Sequence, residues 1–190
     1  MTAALTFLSH FGACAPQPAS DWQGPAPLPS ALVDFYDQIG PLGEDDYPPR
    51  GVIFEAGGND VLLPRLADLW QTQDGFGWKV RSSAPIDGWP AQWWVLATEG
   101  LDAFVYDADA DAMRFLYSDD DVEDALEIAG TPADVMGALA LYALRLEEAG
   151  DSAMDEDFNL LPEWVSKVRA EMQEAFGDAA AGVMATRTDG

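Results

Sequence analysis

Between Trp93 and Tyr117 three apolar runs rich in aromatic and β-branched residues follow one another across very short gaps. Trp93-Trp94-Val95-Leu96-Ala97 is separated from Ala103-Phe104-Val105-Tyr106 by a turn at Glu99-Gly100. Asp107 to Asp111 then leads into a third run, Met113 to Tyr117. Side chains of this kind suit a pleated, half-buried surface, and turns this short join only antiparallel neighbours. The segment therefore predicts an antiparallel meander, and the rest of the chain has to cover it.

The covering elements are legible on both sides. Leu5, Leu8 and Phe11 recur at a spacing of three and predict a short helix before a Pro-rich stretch from Ala15 to Pro29. Pro29 and Ser30 start a second helix with Leu32, Phe35, Tyr36 and Ile39 on one face, ended by Gly40-Pro41. Gly43 to Gly51 reads as an acidic loop, Val52-Ile53-Phe54 as a strand closed by the turn Gly57 to Asp60, and Leu66, Leu69 and Trp70 as a brief helix. Thr131, Pro132 and Asp134 form a capping signature before Val135, Leu139, Tyr142 and Leu146, with Gly150 beyond the end. A last helix starts near Pro162 and aligns Trp164, Val165, Val168, Met172 and Phe176. Residues 177–190 lack an evident apolar face and are expected to fray.

The chain has 190 residues, 48% of them apolar, with 7 Trp, 9 Phe and 5 Tyr, so one domain with a substantial core is expected. Its 34 Asp and Glu against 9 Lys and Arg give a formal charge of -25. Nucleic acid and anionic membranes are then poor partners, whereas a protein with a basic surface is attracted. Cys14 stands alone and forms no internal disulfide, which points to the cytoplasm. Gly12-Ala13-Cys14 resembles a lipoprotein cleavage box, but no basic segment precedes it and the apolar stretch is too short for a secretory signal. No run is long enough to span a bilayer.

Few residues suggest catalysis. His10 and Cys14 are four apart, so a helix would place them on one face, yet two ligands fall short of a zinc site. Asp107, Asp109 and Asp111 alternate as in a calcium loop, but Ala112 occupies the glycine position and Ser118 the closing glutamate position, so a solvated turn is expected. Gly57-Gly58 and Gly75-Phe76-Gly77 lack the Lys-Ser or Lys-Thr of a phosphate loop and are read as turns. Asp119 and Glu123 could pair for hydrolysis, but they stand in a run of like charge with no sign of an enclosing pocket. No catalytic residue, metal or cofactor is expected.

Recognition is the alternative use of such a surface. Asp102, Asp107, Asp109, Asp111, Asp119, Asp120, Asp121 and Glu123 are candidates to steer a cationic partner. Strand alternation puts Trp93 and Trp94 on opposite faces, and Trp94 is the candidate aromatic anchor.

A helix opening Leu28-Pro29-Ser30 and ending Ile39-Gly40, then Trp94-Val95-Leu96-Ala97-Thr98-Glu99-Gly100 leading into Phe104-Val105-Tyr106-Asp107, then a helix like Pro132 to Glu148, resembles the SUKH superfamily with its Smi/Knr-type and Syd-type proteins. Leu101 departs from the commoner turn, where small residues follow the strand. The resemblance implies an α+β fold with a mostly antiparallel sheet flanked by helices over residues 28–148. Residues 1–27 would be an N-terminal extension, 149–176 a linker with an additional C-terminal helix, and 177–190 a disordered tail. It also implies an immunity protein that binds and neutralises a cognate toxin by occlusion. An intracellular scaffold or regulator of the same fold is the alternative.

Overall fold

The meander lies at the centre of the sheet in the computed structural model, which describes residues 2–43 and 50–188. Most of the acidic loop expected from Gly43 to Gly51 lies outside the described residues. The strands are β1 (Gly51–Glu55), β2 (Asp60–Pro64), β3 (Trp78–Lys79), β4 (Ala84–Pro85), β5 (Trp93–Glu99), β6 (Asp102–Asp107), β7 (Ala112–Leu116) and β8 (Leu126–Ile128). Among the described residues, β1-β2-β5-β6-β7-β8 form one sheet of six strands in that order, and β3-β4 a separate ribbon. Every pairing between these strands is antiparallel, with Val95 opposite Val105 and Phe104 opposite Phe115.

The helices are α1 (Ala3–Phe11), α2 (Ser30–Gln38), α3 (Leu69–Thr72), α4 (Pro132–Ala149), α5 (Pro162–Phe176) and α6 (Ala179–Thr188). A reciprocal cap fixes the start of α4: the Asp134 amide donates to Thr131 Oγ1 at 3.2 Å, and the Thr131 amide donates to Asp134 Oδ2 at 3.1 Å. From Val135 to Ala143 α4 is buried on every side, as the central helix of a layer must be. One side of it faces the sheet, and α1, α5 and α6 pack around the rest. Gly137 permits the α1 contact, because a Cβ there would meet Ala4 Cα at 2.8 Å. The N-terminal helix and the C-terminal pair thus share one core with the sheet.

The frayed tail expected from residue 177 onward is instead, as far as Thr188, the packed helix α6. Gly177, at φ 55°, turns the chain back after α5. Ala179, Ala180, Val183 and Met184 are then fully buried. Gly182 sits so close to β8 that a Cβ would meet Ile128 at 2.7 Å. Alanine and glycine carry little hydrophobic signal in sequence, yet they allow the backbone to approach closely. Arg187 completes the docking with a bidentate bond to Glu99 Oε1 and Oε2 at 2.7 and 2.6 Å. Both side chains are buried, and the guanidinium lies 5.7 Å from the Phe115 ring centre.

Both faces of the sheet are covered, but unequally. Trp94, Leu96, Phe104, Tyr106, Met113 and Phe115 join the main core under the helices. Trp93, Val95, Ala103 and Val105 form a second, smaller cluster covered by Phe76, Trp89, Val122 and Ala125. A bulge between Val95 and Ala97 in β5 shifts the register against β6. β2 reaches β5 only at Thr98 and Glu99. Beyond that point the buried Gln73 side chain substitutes for a strand: its Nε2 donates to the Val95 carbonyl at 2.8 Å and its Oε1 accepts the Val95 amide at 3.0 Å. This clamp holds the excursion from Gln73 to Gln92 against the second face.

Candidate functional site

The excursion clamped by Gln73 and the loop after β7 do not close over the second face completely. Between them lies a groove of about 870 Å³. Phe76, Ile86 and Trp89 from the excursion and Val122 from the loop after β7 give it apolar walls, and the Phe76 and Trp89 ring centres are 5.7 Å apart. The tight turns that raise those walls need left-handed backbone at Gly75 and Gly88, at φ 87° and 90°. Asp74, Asp87, Asp120, Asp121 and Glu123 form the rim, and among the described residues no Lys, Arg or His lines the groove. Leu101, 77% exposed on the β5–β6 turn, borders it. Tyr117 lines the same groove; burial raises its hydroxyl pKa despite the opposing Arg187 charge, so the neutral phenol is kept.

The structure divides the expected acidic surface in two. β6 runs from Asp102 to Asp107, and at about 3.4 Å per residue its ends are some 17 Å apart. Asp102, Asp119, Asp120, Asp121 and Glu123 belong to one end of the sheet, whereas Asp107, Asp109 and Asp111 belong to the β6–β7 hairpin at the other. Asp120, Asp121 and Glu123 line the groove; Asp119 is exposed beside them and Asp102 accepts the Ser118 amide at 2.8 Å.

The hairpin carboxylates are largely consumed within the chain. Asp107 is buried, and Oδ1 accepts the amides of Asp109 and Ala110 at 3.1 and 3.2 Å while Oδ2 accepts Arg114 Nε at 3.0 Å. Burial opposes its ionisation, but the Ala110 amide and Arg114 outweigh it and hold the carboxyl below its ordinary pKa. Asp111 accepts the Tyr106 hydroxyl at 2.7 Å, and burial together with that bond pushes the phenol up to about 12. Asp109 is exposed. Among the described residues no group of three His, Cys, Asp or Glu side chains is placed to hold a metal ion.

Trp94 is not an outward anchor. It is 8% exposed, on the main-core side, with its ring edge-on to Trp22 at 5.8 Å. Alternation does separate Trp93 from Trp94, but the second face is also covered, so both are buried. His10 and Cys14 are not united on a helix either, because α1 ends at Phe11. His10 Nε2 lies 3.3 Å from Glu147, and burial pushes the Cys14 thiol up to about 11.

Sequence reasoning missed Leu101, Phe76 and Trp89 as parts of one surface. Leu101 carried a signal, since a large apolar residue in a two-residue strand turn has nothing local to pack on. The same holds for Phe158, which is 82% exposed at φ 62°. It sits in a turn where Asp155 Oδ1 accepts the Asp157 and Asn159 amides, both at 2.9 Å. No family model, curated protein or solved structure matches the chain. Among the described residues no helix is long and apolar enough to cross a membrane.

Proposed function

We propose that the chain is a protein-binding module that captures a partner with a basic surface in the groove beside Leu101 and occludes it, without catalysing a reaction on it. The observation that carries this reading is the combination of half-buried aromatic walls, an exposed Leu101 and a rim of carboxylates with no basic side chain among the described residues. Apolar walls give contact area that is released from water on docking, and the rim steers a cationic surface towards them. Nucleic acid fits poorly, because the same rim repels phosphate. The resemblance to the SUKH superfamily supports a cytoplasmic immunity protein whose partner is a cognate toxin.

Co-expression with the product of an adjacent toxin gene tests it. A complex that co-elutes on size exclusion and protects growth is expected, with both lost in Leu101→Asp. A wild-type chain that neither binds nor protects would overturn the immunity reading.

A further inference from the structure

Among the described residues the chain twice builds the same internal contact, an arginine laid against an aromatic ring and held by a carboxylate. On the second face Arg114 lies 5.4 Å from the Trp93 ring centre with Asp107 at 3.0 Å. On the main face Arg187 lies 5.7 Å from the Phe115 ring centre with Glu99 at 2.6 Å. Rings attract a guanidinium through their negative faces, and a carboxylate fixes it by charge-assisted hydrogen bonds. The groove brings together the ring and carboxylate components of that contact: Phe76 and Trp89 on its wall, and Asp120, Asp121 and Glu123 on the facing loop. Among the described residues it has no arginine of its own.

We infer that the groove is a socket for an arginine side chain presented by the partner protein, with Trp89 as the stacking surface and Asp120, Asp121 and Glu123 as the ion-pair partners. This deepens the proposed function and rests on it for the statement that a protein is the ligand. Arginine suits the site better than lysine, because its planar group stacks on a ring and offers several donors at once. A socket of this kind also assigns the two parts of the surface different work. Leu101 supplies apolar contact at the edge, and the groove supplies charge and orientation.

The test uses the full chain and a blocked pentapeptide, Gly-Arg-Gly-Arg-Gly, against its citrulline counterpart, which keeps the shape and removes the charge. In an NMR titration the arginine peptide is expected to move the Trp89 indole N–H resonance and the amides of residues 120–123, and the citrulline peptide to leave them in place. Replacing Asp120, Asp121 and Glu123 by Asn, Asn and Gln should weaken binding roughly tenfold, while neutralising Asp151, Glu156 and Asp157 before α5 should weaken it less than about twofold. Equal weakening by the two sets, or equal binding of the citrulline peptide, would show attraction to net charge alone and overturn the socket. A peptide that binds here while no toxin complex forms would sink the immunity reading and leave the socket standing. A toxin complex that leaves the Trp89 resonance unmoved would do the reverse.

Discussion

On one side of the sheet, Phe104 and Phe115 lie beneath a continuous layer of helices, sealed at one end by the Arg187–Glu99 pair. On the other, Val95 and Val105 lie beneath the excursion from Gln73 to Gln92 and the loop after β7, which part to form the groove. The helical side encloses most of the buried apolar residues and therefore most of the stability. The looped side is just thick enough to keep water off a few strand residues, and it leaves half-buried rings at the surface. A fold whose stability is concentrated on one face can place a recognition surface on the other at little cost to the whole.

That contrast is easiest to break with truncations on the two faces. Phe104→Ala should cost about 3–5 kcal/mol in chemical denaturation, against about 1–2 kcal/mol for Trp89→Ala. Equal losses would mean that the looped face carries as much of the fold. Next in size is Arg187→Met, which leaves Glu99 buried without a partner and should cost about 3 kcal/mol. Adding Glu99→Leu to that variant should restore much of the loss, since an apolar pair of similar volume replaces a buried ion pair well.

Gln73→Leu sharpens the contrast from the other side. It strands the Val95 amide and carbonyl and should cost about 2 kcal/mol, with hydrogen exchange rising first in residues 74–91. Uniform acceleration across α4 would show that the excursion is not held locally. Asp107 should make a smaller contribution that depends on pH. Its carboxyl is held below its ordinary value in the fold, so its stabilisation is complete above the unfolded pKa and fades as pH falls through the folded one. Asp107→Asn should therefore lose stability at neutral pH and narrow its gap from wild type at acid pH. The smallest effect on stability belongs to Asp119, Asp120 and Asp121 changed together to Asn, within about 0.5 kcal/mol of wild type. The same variant should associate with a basic partner several-fold more slowly at low salt, and the gap should close as the Debye length falls below about 8 Å.

Much of the helical face was legible because its signals are local. The Thr131–Asp134 cap, the Ser30 helix start and the apolar runs from Trp93 onward each act within a few residues. What was missed depends on contacts between distant segments. β8 is three residues long in an acidic setting, and α6 is built mostly from alanine and other small residues, with Val183 and Met184 its only large apolar side chains. The bond from Arg187 to Glu99 spans 88 positions. The site was half legible for the same reason. Composition identified the acidic stretch, but only the register of β6 with β7 shows that Asp107 and Asp111 are spent within the hairpin while Asp120 and Asp121 face the groove.

The docking of α1 and α6 on one helix also bears on how the chain reaches this state. Neither can find its place until α4 exists, and α1 must wait through more than a hundred intervening residues. Contacts that distant in sequence close large loops, which slows the search for the native arrangement. Refolding is then expected to pass through a species with the meander and α4 formed and both terminal helices still loose. Its unsealed apolar layer would make this species the stage most prone to clumping, and removing α6 should prolong it.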